Sequence, residues 1–502
     1  MSLLPLLILA LPVQEPVDAA QRTFPLAVED VVRLVQENAA AVQQARLSAL
    51  AAEGGLLEAQ GAFGTVLFAD ATYSYAESPA SGFFTSFGDT EERLLRLNEG
   101  IRHTLTTGGT LTLSANQQNR DSNYLPQAQS DVGLQLQFVQ PLLRGGWELS
   151  ATRDQRRAEY QLDRGRAGIR RANVDVVQQA LDAYWDLAFA RANVDVLRAS
   201  LRLAEELRET TQARFEVGAV AEIEVVQTEA DIATRTDALL GAEEQVRIQQ
   251  DQLRTLLFGP TADEEWDWLL VPSSDPTALQ TEVPEWRDAL ETARLYRADL
   301  RELRVDVRRT RDDWRAARRD LLPQLDFTAQ GNLSEQDDIV LDAVSDLTDT
   351  DFPGYLFSLV FEMPLGKSRW EGGERRTRWE HQLALRTLRD AETGLAGEVR
   401  AAVRDLQYQQ LRVDVTRRGR EVAERQLEAE QRRLQEGAST NFQVLQFQTD
   451  LAQAATNEAQ ARIERAKAAA RLNTVRGLNW DGSRPDLVGL ESYRPGAELD
   501  VD

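Results

Sequence analysis

Between Trp147 and Phe215 the chain carries no proline, and Val176, Ala180, Ala183, Leu187, Ala190, Val194, Leu197, Leu201 and Ala204 follow one another in alternating steps of four and three. That spacing predicts a heptad seam on a helix packed nearly parallel to its neighbours over many turns. At a rise of ~1.5 Å per residue such a helix extends on the order of 100 Å, too long for the core of a compact domain. The next segment repeats Val225, Ile232, Leu239, Val246 and Leu253 every seven residues. Alanine at many seam positions lets helices approach closely.

A second pattern has period two. Val132, Leu134, Leu136 and Phe138 alternate with Gly133, Gln135 and Gln137, and Tyr355, Phe357, Leu359 and Phe361 do so at matching parity. Leu67, Ala69, Ala71, Tyr73 and Tyr75 stand opposite Phe68, Asp70, Thr72 and Ser74. Such strands fit a half-buried sheet, and equally a sheet with its apolar face in lipid and its polar face on a water-filled lumen. Thr106-Thr107-Gly108-Gly109, between Ile101–Leu105 and Thr110–Ala115, adds a hairpin signal that a four-strand plan does not use.

The two patterns occur twice. Arg214 to Asp231, with Gly218, Val225 and Gln227, overlies Arg433 to Asp450, with Gly437, Val444 and Gln446, without a gap at an offset of 219. Phe138 to Leu142 followed by Trp147 corresponds to Phe361 to Leu365 followed by Trp370 at 223, and Leu67–Tyr73 to Leu325–Gly331 at 258. The first change of four is about one helical turn. The 35-residue change is expected as an insertion in the loop region between strands. Each copy reads as helix, strands, very long helix, tight turn, helix. The organisation expected is a signal peptide over 1–19, a first repeat over 20–258, a linker over 259–285, a second repeat over 286–478 and a tail over 479–502. Gly218 and Gly437, each between two helical runs, are expected in the left-handed conformation that ends a helix. Pro141 and Pro364 are expected where strand becomes helix. Trp147 and Trp370 just beyond fit either an interfacial aromatic girdle or helix packing.

The duplicated strand-helix unit, the exits Gln140-Pro141-Leu142-Leu143 and Met363-Pro364-Leu365, and the paired turns around Gly218 and Gly437 resemble the TolC-like outer-membrane efflux proteins, over roughly Leu26 to Leu478. The resemblance implies a mainly α fold with a transmembrane β part, in which a trimeric 12-stranded β-barrel continues into a long α-helical coiled-coil tunnel. Four strands cannot close a membrane barrel, which needs at least about eight. Twelve strands from three copies is the favoured count, with the Thr106–Gly109 hairpin in or near an outer loop; were it to join the barrel, the count would be eighteen. By the same resemblance the protein is a homotrimer in outer-membrane lipid. It acts as a passive exit duct that receives substrates from an inner-membrane pump through a periplasmic adaptor, in efflux or type I secretion. The tips at Arg214, Gly218, Ala219, Arg433, Gly437 and Ala438 would meet the adaptor. In the family's best-known member aspartates six and nine positions after the second glycine narrow the periplasmic mouth; here those positions hold Gln443 and Gln446. Glu222 and Glu224 of the first copy are candidates for a substitute acidic ring, against the reading of a solvated helix face. The prolines at 260, 272, 276 and 284 mark the link between copies, which in the family belongs to an equatorial collar.

Composition narrows the alternatives. The 502 residues hold 81 acidic and 57 basic side chains, a net charge of −24 that repels phosphate backbones, so no nucleic-acid partner is expected. There is no cysteine, hence no disulfide, thiolate or Cys-based metal site, and no lipidated cysteine. With His103 and His381 alone, no histidine metal site or catalytic triad is supported, and no enzyme or cofactor is expected. The longest apolar run, Leu3 to Val13, is too short to span and reads as a secretory signal cut near Ala20. Gly366-Lys367-Ser368 lacks the glycine a phosphate loop needs five positions earlier, where Phe361 stands. The acidic tail after Pro485 is expected to be mobile. A secreted or periplasmic coiled-coil scaffold without a pore is the competing class, and it leaves the duplicated amphipathic strands unexplained.

Overall fold

The computed structural model describes residues 23–79, 89–123, 129–258, 265–277, 282–337 and 353–485. The signal-peptide reading, Pro260 and the acidic tail lie outside them. In chain order the elements are β1 (Thr23–Leu26), α1 (Val28–Asn38), α2 (Ala40–Gly61), β2 (Thr65–Ser78), β3 (Thr90–Thr104), β4 (Thr110–Ser122), β5 (Gln129–Pro141), α3 (Glu148–Ala151), α4 (Arg153–Glu216) and α5 (Glu222–Phe258). There follow β6 (Leu269–Pro272), α6 (Trp286–Tyr296), α7 (Ala298–Arg319), β7 (Gln324–Asp337), β8 (Pro353–Glu362), α8 (Ser368–Gln435) and α9 (Asn441–Val475). The proline-free stretch and its counterpart in the second copy form helices of 64 and 68 residues, about 100 Å each at 1.5 Å per residue. Chain contacts divide the molecule into two compact units.

The first unit comprises 1–45, 169–298 and 393–502. Its core gathers Leu26, Val31 and Val35 near the start of the chain, Ala180, Leu181, Tyr184, Trp185 and Leu187 of α4, Leu253 and Leu257 of α5, and Leu270 of β6. β1 and β6 form a two-stranded parallel sheet, Thr23 opposite Leu269 and Leu26 opposite Pro272. Tyr184 fixes this sheet: its hydroxyl donates to the Leu26 carbonyl at 3.0 Å and accepts from the Ser274 amide at 3.0 Å. The linker that carries Pro272 and Pro276 is thereby tied to the long helix. Of the α4 seam, Val176, Ala180, Leu187, Ala190, Val194 and Ala204 are buried.

The second unit comprises 46–168 and 299–392 and is organised around one sheet, in the order β2-β3-β4-β5-β7-β8, antiparallel throughout. The four-strand plan is corrected here. The 35-residue excess of the first copy is no loop but the pair β3 and β4, inserted between β2 and β5. The hairpin at Thr106–Gly109 lies between two full members of the sheet, not in an outer loop, and among the described residues this sheet has six strands where four were expected. An even insertion is the kind the fold tolerates: two added strands leave β5 running in its original direction, toward the helix that follows.

Register shows what the sheet faces. Leu67, Ile101, Leu113, Leu136, Gly331 and Tyr355 form one continuous row across the six strands. Neighbouring rows on that face add Leu95, Leu97, Leu111, Leu134, Phe138, Phe327, Phe357 and Leu359. The opposite face carries Asp70, Thr72, Arg96, Asn98, Ser114, Asn116, Gln118, Gln135, Thr328 and Gln330. It is knit by bonds such as Asn98 to Asp70 at 2.9 Å and Arg96 to Gln118 at 3.0 Å. Glu99, between Ala69 and Ala115, interrupts the apolar face.

Candidate functional site: helical tips and strand exits

Both tips close with the same geometry. Gly218 has φ +78° and Gly437 φ +76°. The Ala219 amide donates to the Arg214 carbonyl and the Gly218 amide to that of Phe215, each at 2.8 Å. In the second copy Ala438 donates to Arg433 at 2.8 Å and Gly437 to Leu434 at 3.1 Å. This pair of bonds is the Schellman cap, which satisfies the last carbonyls of a helix and requires a residue that adopts positive φ without strain. The glycines stand where the sequence pattern put them, for the physical reason it gave.

The tips differ in their side chains. In the second, Thr440 caps α9 by accepting from the Gln443 amide, and Arg433 reaches Glu430 at 3.0 Å and the Ala438 carbonyl at 3.2 Å. Ser439 bonds both Glu430 and Gln443. Gln443 and Gln446 are exposed, the latter donating to Asp450 at 3.0 Å. In the first, Glu222 is exposed, whereas Glu224 is half-buried and accepts from Asn441 Nδ2 at 2.8 Å. The same Asn441 nitrogen donates to Thr211 Oγ1 at 3.0 Å. Glu224 thus links the two tips through Asn441, and of the two first-copy carboxylates only Glu222 stands on an exposed position.

Beneath the tips Leu207, Leu427, Leu434, Val444 and Leu445 pack together, while Val217, Ile223 and Phe442 remain largely exposed around the turns. Farther along, Arg235 is buried and holds three helices at once. It pairs with Asp231 at 2.5 Å on its own helix and donates to the Ser200 carbonyl at 2.9 Å on α4. It also reaches the Leu445 carbonyl at 3.4 Å on α9. Sequence reasoning missed Arg235 and Asn441. A second seven-residue line, Thr228, Arg235 and Ala242, is buried more deeply than Ile232, Leu239 and Val246; following it would have exposed an arginine on a packing seam, where an arginine needs partners.

At the strand exits Pro141 is the last residue of β5, and Pro364 follows β8 after one residue. Leu142 still donates to the Leu325 carbonyl at 2.7 Å, so pairing ends only beyond the proline. Trp147 is not packed within a helix. It sits ahead of α3 with φ +67°, a conformation that costs a side-chain-bearing residue ~1–2 kcal/mol. Two bonds offset that cost: its amide donates to Thr107 O at 2.7 Å and its indole to Leu142 O at 2.9 Å. Trp370 stacks instead under the Arg144 guanidinium, 4.9 Å away. Among the described residues no cluster of His, Cys, Asp and Glu could hold a metal ion, and no helix is long and apolar enough to cross a membrane.

Comparison with known proteins agrees with this geometry. The family described as outer membrane efflux protein matches residues 108–258 and 289–478. Over 179 residues the chain is 26% identical to nodulation protein T of Rhizobium leguminosarum bv. trifolii, a match that covers 36% of this chain and 34% of that relative's length. Among solved structures, the CmeC outer membrane channel of Campylobacter jejuni superposes with a TM-score of 0.64 at 15% identity, covering 91% of this chain and 86% of that one. The outer membrane protein VceC of Vibrio cholerae gives 0.64 at 18%, covering 90% and 96%. The open-state MtrE outer membrane channel of Neisseria gonorrhoeae gives 0.62 at 14%, covering 91% of each. The fold is that of these channels, and the chain belongs to the outer membrane efflux protein family, channel proteins of the outer membrane with a periplasmic helical tunnel.

Proposed function

We propose that three copies of the chain form a passive exit duct, through which substrates delivered by an inner-membrane pump and a periplasmic adaptor leave the cell. The observation that carries this reading is the apolar face shared by all six strands of the sheet, with large side chains such as Leu67, Leu136, Tyr355 and Phe357 bare upon it. In water so large a patch would drive aggregation; in lipid it is satisfied, with the polar face turned to an aqueous lumen. A soluble coiled-coil scaffold has no use for it.

The paired Schellman tips, with Arg214, Gly218, Ala219, Arg433, Gly437 and Ala438, form the adaptor-facing surface in this proposal, and the exposed Val217, Ile223 and Phe442 supply its apolar contacts. Gln443, Gln446 and Glu222 line the periplasmic mouth, with Glu224 set behind them by Asn441. With amides at the second tip, the mouth carries fewer carboxylates to bind multivalent cations. Pro141 and Pro364 mark the passage from membrane strand to periplasmic helix.

Cell fractionation tests the proposal. The protein is expected in the outer membrane, extracted only by detergent, and migrating as a heat-sensitive trimer. Deleting its gene is expected to sensitise cells to a panel of toxic compounds or to block secretion of a protein. Recovery in the soluble periplasmic fraction as a single subunit would overturn it.

A further inference from the structure

We infer that the barrel of this protein has eighteen strands, six from each of three copies, with the β2 edge of one copy pairing antiparallel with the β8 edge of the next. The inference rests on the three-copy reading above and adds to it the strand count and the joining edges. The starting observation is that β3 and β4 are ordinary members of the sheet. β3 pairs with β2 from Thr65↔His103 to Ser78↔Thr90, β4 with β3 from Thr104↔Thr110 to Glu92↔Ser122, and β5 with β4 from Thr110↔Val139 to Arg120↔Gln129.

The inserted pair also carries the two-sided pattern of its neighbours. Leu95, Leu97 and Ile101 on β3, with Leu111 and Leu113 on β4, extend the apolar rows, while Arg96, Asn98, Asn116 and Gln118 extend the polar face. A hairpin lying outside the membrane over a loop would have no reason to alternate in phase with membrane strands. Its turn, moreover, is built into the strand exit: Thr107 accepts from the Trp147 amide and exchanges two bonds with Gln140.

The edges point to the occupant. Inner-strand residues of the apolar face such as Leu95 and Leu113 are 39% and 38% exposed, whereas Leu67 on β2 and Tyr355 on β8 are 79% and 81% exposed. Long apolar edges with free backbone donors and acceptors are ones that proteins cover or pair. β2 runs away from its preceding helix and β8 runs toward its following one; with an even number of strands the two edges are antiparallel, so a second copy of this chain completes the ladder on each. Six strands are too few to close alone. Because diameter grows roughly linearly with strand number, eighteen strands give a lumen about 1.5 times as wide as twelve.

Two measurements on the full chain in detergent test this. Native mass reports the subunit number, and an image reconstruction of the unmodified protein counts strands. Three subunits with eighteen strands is the expected result. Three subunits with twelve strands would overturn the inference and leave the three-copy duct standing; two subunits would overturn both. Because the protein has no cysteine, engineered pairs give an independent reading. Ser114→Cys with Gln135→Cys, directly opposite in β4 and β5, is expected to form an intrachain disulfide in the membrane-inserted protein. Asp70→Cys with Gln135→Cys, which the β7–β8 register carried onto the first copy sets opposite each other only if β3 and β4 leave the sheet, is expected to form none. The reverse result would overturn the inference.

Discussion

Gln140 and Thr107 hold each other by both ends: Thr107 Oγ1 donates to Gln140 Oε1 at 2.8 Å, and Gln140 Nε2 donates to the Thr107 carbonyl at 2.9 Å. One side belongs to the turn of the inserted hairpin and the other to the exit of β5. Gln140 is buried, so replacing it with leucine leaves the Thr107 hydroxyl without its acceptor at a cost of ~1–3 kcal/mol. Gln140→Leu is expected to lower the temperature at which the assembled protein dissociates on heating in detergent. Faster amide exchange in Thr104–Thr110 than in β7 is expected with it. An unchanged dissociation temperature would mean that the turn is held by other contacts.

Lipid-facing positions of the inserted strands should be as intolerant of charge as those of the others. An arginine near the bilayer midplane on the outer face of a membrane barrel costs ~2–4 kcal/mol. Leu97→Arg and Leu113→Arg are each expected to reduce outer-membrane assembly to an extent comparable with Leu136→Arg, whereas Asn116→Arg on the polar face is tolerated. Quantifying the heat-modifiable band on gels checks this. Assembly unharmed by the first two but lost with the third would place β3 and β4 outside the membrane.

Arg235 offers a test of the helical packing. Arg235→Met keeps the stem but removes the bonds to Ser200, Leu445 and Asp231. Breaking a buried ion pair costs ~3–5 kcal/mol, and Asp231 retains some access to water, so the lower end of that range is expected. Thermal loss of the helical circular dichroism signal is the readout. Lys should restore little, since one ammonium cannot reach both partner helices as the planar fork does.

Much of this architecture was legible because it repeats. The α4 seam, the strand parity and the two tip glycines each obey a period or recur at a fixed offset, and each corresponds to a physical demand: parallel packing, one apolar face, a positive φ. The strand count was misread for a related reason. β3 begins Thr90-Glu91-Glu92-Arg93 and carries Glu99 and Arg102, and charges near its start, on the polar face and, at Glu99, within the apolar face itself obscured the alternation of Leu95, Leu97 and Ile101. The offset between copies had measured 35 extra residues, enough for two strands, but length alone does not separate a hairpin from a loop. Tertiary pairs such as Asn441 with Glu224, 217 residues apart, leave no local trace at all.

His381 is expected to make stability depend on pH. It is buried against Trp314, 6.0 Å between ring centres, and its Nδ1 lies 3.2 Å from Thr310 Oγ1. Burial first, then repulsion from Arg311 and Arg315, holds its pKa below the ordinary 6.5. A folded pKa below the unfolded one means that the unfolded chain binds the proton more readily. The stabilisation is therefore complete above the unfolded value and is lost as pH falls from there through the folded one. His381→Phe, which preserves the stacking, is expected to flatten the dependence of the thermal midpoint on pH between 5 and 7. An unaltered slope would assign the dependence to other groups.

Gly437 carries the sharpest test of the tip. Its φ of +76° admits valine only with strain, ~1–2 kcal/mol from handedness alone and more from β-branching, although nothing lies within 4 Å of where a Cβ would stand. The damage from Gly437→Val should accordingly stay local, since the packing of Leu207, Leu427 and Leu434 beneath the turn needs no rearrangement. Outer-membrane assembly is expected at normal levels, while co-purification of the adaptor falls by about tenfold, the change that ~1.4 kcal/mol of mismatch produces. Asparagine, which caps helices in the same conformation, should restore most of the binding. Normal assembly with undiminished adaptor capture and export would show that the adaptor engages some other surface of the helices.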